Sequence, residues 1–286
     1  MRGVIMAGGS GTRLHPLTIS VSKQLLPVYS KPMIFYPLST LLLAGVREFL
    51  ILTTPADQPL FEKLLGDGSA LGVKILYQSQ EEPKGIADGL ILGEEFLQGE
   101  PSALILGDNI FYGAGVGETL EGYRTESGAT VLAQSVGDAR RYGVLELSAT
   151  GTVLSVEEKP KSPRSNLAIT GLYFFDGSAS ARARRLRPSS RGELEITHLL
   201  DSYRSEGSLK AHVLPRGTAW LDTGTFESLA QASEFVRVVE RRQGFMISAP
   251  EEIAWRLGLI DSMQLKRLAQ RFAKSEYGTY LQSLLR

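Results

Sequence analysis

Cysteine is absent from this 286-residue chain, which rules out disulfides, thiolate metal sites and cysteine nucleophiles and fits a reducing compartment. Histidine is scarce. His15, His198 and His212 fall at no metal-ligand spacing, so neither a zinc site nor a histidine-activated nucleophile is expected. Net charge is missing too, since 31 Lys and Arg balance 31 Asp and Glu. A neutral chain is no general binder of nucleic acid or membrane surface, and any anion site must be built from locally placed Arg and Lys. No run approaches the roughly 18 apolar residues of a membrane span. The N-terminus carries no basic-apolar-small signal pattern, so a cytoplasmic location is expected. There is also no repeat, low-complexity tract or Pro/Gly/Ser linker, which argues for packed subdomains.

What is present, at 43% hydrophobic and 22% charged residues, suffices for a sizeable core. Buried-strand runs recur at Gly3-Ala7, Phe49-Thr53, Val73-Tyr77 and Ala103-Leu106. Between them lie helical stretches around Met33-Ala44, Gln58-Leu65 and Gly85-Phe96. Strand alternating with helix predicts an α/β fold with a mostly parallel sheet. From Thr130 to Asp176 the strand runs crowd together (Thr130-Val136, Gly143-Leu147, Thr152-Val156, Ile169-Phe175), predicting antiparallel strands added to the same sheet. From Thr225 onward Leu229, Ala232, Phe235, Val236 and Val239 recur at helical spacing, and further helical runs pass through Ala254, Leu265 and Tyr280. The expected division is a core over 1–224 and a helical C-terminal subdomain over 225–286, packed on it.

The glycine-rich string Gly8-Gly9-Ser10-Gly11-Thr12-Arg13-Leu14 directly follows the first strand run and carries one fixed positive charge. Its glycines let the backbone turn and bring N–H groups up to a bound anion, and Arg13 supplies the countercharge. It is neither of two familiar phosphate loops, having no third glycine of the dinucleotide fingerprint and no Lys-Ser/Thr pair of a P-loop. In an open α/β sheet ligands sit beyond the carboxyl ends of strands. Two carboxylates stand at such places, Asp108 in Leu104-Ile105-Leu106-Gly107-Asp108-Asn109 and Asp222 in Trp220-Leu221-Asp222-Thr223-Gly224-Thr225. If they converge they suit a magnesium ion; taken singly, an Asp in either setting more commonly caps a helix or closes a turn. Lys23, near Arg13 in sequence, and Lys159 in Glu157-Glu158-Lys159-Pro160 add positive charge. Glu158 beside Lys159 suits a phosphorylated sugar, and a solvated strand end suits the same residues.

Taken in order, these strings together with Ser22-Lys23-Gln24-Leu25-Leu26-Pro27-Val28, Thr170-Gly171-Leu172-Tyr173 and Arg191-Gly192-Glu193-Leu194-Glu195-Ile196-Thr197 closely resemble glucose-1-phosphate thymidylyltransferases over nearly the whole chain. The resemblance implies a Rossmann-like fold and a Mg²⁺-dependent enzyme. It would join dTTP to α-D-glucose-1-phosphate by direct in-line attack, giving dTDP-glucose and pyrophosphate for deoxysugar synthesis. It further implies that Gly8, Gly9, Gly11, Thr12, Arg13, Gln80 and Gly85 bind the nucleotide and that Arg13, Lys23, Asp108 and Asp222 are catalytic, the two Asp residues holding the metal. Asn109, Tyr142, Gly143, Glu158, Lys159, Thr170, Tyr173 and Arg191 would bind the sugar phosphate. A homotetramer with a second nucleotide site at a subunit contact belongs to the same implication.

Departures from the family pattern cluster in Gln80-Glu81-Glu82-Pro83-Lys84-Gly85-Ile86-Ala87-Asp88. Lys84 stands where an acid is expected, and Asp88 where a Gln is. Ser30 and His198 replace acidic residues. The charge reversal at Lys84 bears on the choice of base. The alternatives are therefore a transferase using UTP or several bases, and a catalytically silent sugar-nucleotide sensor, against which the intact Arg13, Lys23, Asp108 and Asp222 speak.

Overall fold

The computed structural model describes residues 1–113, 115–123 and 127–286. In chain order the strands are β1 (Arg2–Met6), β2 (Pro27–Val28), β3 (Lys31–Pro32), β4 (Glu48–Thr53), β5 (Lys74–Ser79), β6 (Ser102–Leu106) and β7 (Asn109–Tyr112). They continue with β8 (Ala129–Ser135), β9 (Gly143–Leu147), β10 (Val153–Glu158), β11 (Leu167–Phe175), β12 (Leu209–Val213) and β13 (Ala219–Asp222). The helices are α1 (Phe35–Leu43), α2 (Gln58–Leu65), α3 (Asp88–Leu92), α4 (Glu94–Leu97), α5 (Val116–Glu121) and α6 (Ala179–Ala183). After them come α7 (Ile196–Ser205), α8 (Phe226–Gln243), α9 (Pro250–Arg256), α10 (Ser262–Arg271) and α11 (Glu276–Ser283).

Among the described residues nine strands form one sheet, with the path β10-β9-β11-β6-β1-β4-β5 and with β8 and β12 attached alongside β11. Strands β6, β1, β4 and β5 are mutually parallel; β11 runs antiparallel to β6, β8 and β9, as the crowded strand runs predict. The central strands read as continuous apolar runs because both faces are covered. Ile5, Ile51, Ile105 and Phe174 face α1, α2 and the C-terminal helices α9 to α11. Val4, Leu50, Leu104 and Tyr173 face α3, α6 and α7. Complete burial of each such side chain contributes about 1.5–3 kcal/mol, which fixes the register of the strands and hence the positions of the loops at their carboxyl ends.

The stretch expected as one helix over Gly85-Phe96 is two short helices separated by Gly93, starting only at Asp88. Ahead of it, Gly85 has φ +104°, and a Cβ there would lie 2.4 Å from the Leu194 carbonyl oxygen, so no other residue fits. Helix α8 starts in a capping box in which the Thr225 hydroxyl accepts from the Ser228 N–H. It packs on the β2–β3 hairpin and on β7 and β13 through Ala232, Val236, Val28, Met33 and Ile110. The hairpin is clamped to α8 by a buried ion pair, Lys31 Nζ to Glu240 Oε1 at 2.5 Å. Among the described residues no helix is long and apolar enough to cross a membrane.

Candidate active site

Three adjoining clefts of about 200, 220 and 270 Å³ open where β1, β6 and β10 end. Among the described residues Asp108 alone lines all three. The first cleft is bounded by Asn109, Tyr142, Gly143, Glu158, Lys159, Tyr173 and Asp222, the second by Gly8, Gly9, Gln80 and Gly85, and the third by Gly9 to Leu14 with Lys23. Arg13 is shared by the first and third. A larger cavity of about 720 Å³ lies among the C-terminal helices beside Trp255, Met263 and Leu285, and none of these charged groups enters it.

The glycine loop does not open an α-helix. It passes through Gly11 at φ +61° into a short 3₁₀ turn, Thr12–Leu14, and the Thr18 hydroxyl holds it by donating to the Gly11 carbonyl at 2.8 Å. A second 3₁₀ turn, Lys23–Leu25, carries Lys23, whose ammonium is paired with Asp108 Oδ2. Asn109 Nδ2 donates to Asp108 Oδ1 at 2.8 Å, so both carboxylate oxygens are held. Asp222 reaches the same place through the antiparallel pairing of β13 with β7, in which it lies opposite Asn109. The Thr223 hydroxyl then locks the turn by donating to the Asp108 carbonyl at 2.9 Å. Convergence of the two carboxylates is thus a matter of strand register, which sequence spacing alone left open.

Electrostatically the pair is both buried and crowded. Burial raises the Asp222 carboxyl above the ordinary aspartate range, the neighbouring Asp108 charge raises it further, and Lys23, Arg13 and Arg141 pull the other way. Burial and Asp222 likewise raise the Tyr142 phenol. Among the described residues no group of three or more His, Cys or acidic ligands exists. Two crowded, hard oxygen donors facing open clefts are what a divalent ion sharing its remaining positions with water and phosphate oxygens requires, so this donor set fits such an ion.

At the first cleft, Glu158 ends β10 and Lys159 follows it with a left-handed backbone, φ +44°, that turns the chain at the rim. Lys159 Nζ lies 3.2 Å from Glu158 Oε1, and the Thr197 hydroxyl donates to Glu158 Oε2 at 3.1 Å. Arg191 bounds none of the three clefts; its guanidinium reaches them only through Glu158, at 3.2 Å, and is otherwise bonded to Glu195 at 2.8 Å. Thr170 is not brought in as expected. Its side chain is fully buried and donates to the Leu132 carbonyl at 3.1 Å, while Ile169, Gly171 and Tyr173 line the cleft. Lys84 also differs from expectation: its side chain is 62% exposed, 4.0 Å from Glu82, and bounds none of the three clefts. Sequence reasoning missed Gln24, Arg141, Glu193 and Thr197, all of which line the clefts.

A nucleotidyl transferase family model matches residues 2–238. A glucose-1-phosphate thymidylyltransferase of Mycolicibacterium smegmatis is 55% identical over 285 residues, covering 100% of this chain and 99% of that protein. One of Xanthomonas campestris is 54% identical over 284 residues, covering 99% and 96%. Among solved structures, a Bacillus anthracis protein assigned as a glucose-1-phosphate thymidylyltransferase, in complex with sucrose, superposes with a TM-score of 0.76 at 37% identity, covering 83% of this chain and 95% of that one. A UDP-glucose pyrophosphorylase complexed with UDP-glucose shares the fold, with a TM-score of 0.74 at 23% identity, over 83% of this chain and 98% of that one. With its strand-end carboxylates, glycine loop and full-length likeness to these relatives, the chain belongs to the glucose-1-phosphate thymidylyltransferases, a branch of the nucleotidyl transferase family.

Proposed function

We propose that the three clefts divide one reaction between them: the transfer of a thymidylyl group from dTTP to α-D-glucose-1-phosphate. The cleft at Gly8, Gly9, Gln80 and Gly85 takes the base, the glycine loop with Arg13 and Lys23 takes the triphosphate, and the cleft at Glu158 and Lys159 takes the sugar phosphate. The observation that carries this reading is Asp108, which faces all three clefts and is paired with Lys23. Where three subsites meet, the reacting phosphorus belongs.

A sugar-phosphate oxygen attacks the α-phosphorus, the bond from that phosphorus to the β-bridging oxygen breaks, and pyrophosphate leaves with the electron pair. Both reactants arrive as anions and neither needs a protein nucleophile, so positioning and charge neutralisation supply the catalysis. Arg13, shared by two clefts, lies where charge develops between attacking and leaving groups. Lys23 neutralises the phosphates, and its bond to Asp108 holds its ammonium in place beforehand. Lys159 and Arg191 grip the sugar phosphate, and Glu158 and Asn109 accept and donate hydrogen bonds to sugar hydroxyls. Asp108 and Asp222 would hold a Mg²⁺ ion, which supplies charge neutralisation at the α-phosphate when bound.

Gln80 and Gly85 address an edge that thymine and uracil have in common, and the thymine methyl adds only about 1 kcal/mol. UTP is therefore the expected second-best nucleotide. A pyrophosphate-release assay over all nucleoside triphosphates and several sugar-1-phosphates tests the reading. Release should be greatest with dTTP and glucose-1-phosphate and abolished in Asp222→Asn with the fold intact. Full activity in that variant would overturn the metal assignment, and product binding without turnover would favour a sensor.

A further inference from the structure

At the end of β5, Gln80 of the base cleft is joined to Asp88, a buried residue that the reaction above does not use. Gln80 follows β5, and its backbone N–H is fixed by the Thr53 carbonyl at 2.7 Å. Asp88 occupies the first turn of α3, whose Gly89 lies directly against Met6 of β1. The two side chains are 6% and 8% exposed, and Gln80 Nε2 donates to Asp88 Oδ2 at 2.8 Å. A carboxylate can only accept, so the Gln80 amide has one admissible orientation, with nitrogen toward Asp88 and oxygen away from it. That oxygen points toward Gly8, where a Cβ would come within 3.2 Å of it, and Gly8 and Gln80 line the same cleft. Among the described residues no protein donor takes it up.

We propose that Asp88 is a positioning residue for base choice, which fixes Gln80 as an acceptor and so admits bases that present a ring N–H and rejects cytosine. The inference rests on the reading that Gln80 faces the base. Thymine and uracil offer an imide N3–H to Gln80 Oε1. Cytosine offers an N3 lone pair, and two acceptors then face each other without a proton between them. To receive cytosine the amide must turn over, which brings Oε1 against the Asp88 carboxylate and breaks a charge-assisted hydrogen bond. The carboxylate thus closes the alternative that a free glutamine leaves open. Discrimination of this kind comes from penalising the wrong partner as well as from binding the right one. Thymine and uracil remain undistinguished by it.

The test compares dTTP with dCTP as substrates in the Mg²⁺-supplemented pyrophosphate-release assay, with glucose-1-phosphate held constant, for the wild type, Asp88→Asn, Asp88→Ala and Gln80→Ala. Loss of the fixed amide should lower the ratio of kcat/KM for dTTP to that for dCTP about tenfold in both Asp88 variants. The change should appear mainly in KM, with kcat on dTTP retained and the dTTP to dUTP ratio unmoved. Asp88→Asn is isosteric and carries the test if Asp88→Ala fails to fold. A ratio within about twofold of wild type in the Asp88 variants, while Gln80→Ala lowers it, overturns the proposal, as does an equal loss on both nucleotides. An unchanged ratio in Gln80→Ala refutes the base-facing reading itself, and the role of Asp88 falls with it.

Discussion

The two ends of the central sheet treat an aspartate in opposite ways. Asp176 follows β11 at the end remote from the clefts, and it is surrounded by donors. The Gly128 N–H lies 2.6 Å away, the Ser178 N–H 2.9 Å, the Ser178 hydroxyl 2.6 Å and the Tyr203 phenol 2.9 Å. Burial pushes the Asp176 carboxyl up, but these hydrogen bonds outweigh it and hold the group below the ordinary range. Asp222 at the cleft end is buried beside a second carboxylate and is held above that range. One end satisfies its charge within the protein. The other holds its charge against burial and a like-charged neighbour, which costs native stability.

The largest expected effect that tests this contrast is at Arg13. Replacement by Ala should lower kcat about 10²–10³-fold with the melting temperature held, since the exposed guanidinium serves the clefts and not the core. An equally large loss of stability would blur the two ends into one. Next is Asp176→Asn, for which urea denaturation at neutral pH should register a loss of about 1.5–3 kcal/mol with kcat unaffected. Because the folded Asp176 carboxyl lies below its unfolded value, its contribution is present above that value and disappears as pH falls through the folded one. The gap between wild type and Asp176→Asn should therefore close below about pH 4. A gap that persists in acid would break the assignment.

The third effect has the opposite sign. Asn at 222 removes a charge the native state holds unwillingly, so the metal-free variant should melt about 1–3 °C above wild type. Added Mg²⁺ should raise the wild-type melting temperature and leave the variant unmoved. A metal-free variant that melts below wild type would show that the crowding is already relieved. The smallest effect is at Lys84, whose replacement by Asp should alter kcat/KM for dTTP by less than about twofold, as expected of a solvated side chain. A larger change would extend the site into the 81–84 turn.

Much of this architecture was legible in the sequence because burial on both faces leaves unbroken apolar runs, as in β1, β4 and β6. The end strand β5 is largely exposed, and its run is interrupted by Lys74. The ordered strings around Arg13, Lys23, Asp108, Glu158 and Asp222 marked the strand ends that the structure gathers around the clefts. Thr170 was misplaced although the sequence held the answer. Strand residues alternate between faces, so with Gly171 and Tyr173 on the cleft, Thr170 must turn away. Arg141 stayed hidden because it sits in a charged turn with Asp138 and Arg140, where a solvated role reads equally well. Gln24 and Glu193 were hidden for another reason: nothing local distinguishes a loop amide or acid that folds back over a distant strand end.

The pairing of β13 with β7 carries a consequence for how such a chain tolerates change. Asp222 lies opposite Asn109, one residue from Asp108, only because two four-residue strands meet in a single alignment. A slip of one position would send the Asp222 side chain to the opposite face and present Leu221 in its place. The loops that join the elements between the two strands can change length without shifting this alignment, while a single residue gained or lost inside either strand separates the carboxylates. The pair of strands is thus a gauge that sets where the two carboxylates stand, independent of the lengths of the loops elsewhere in the chain.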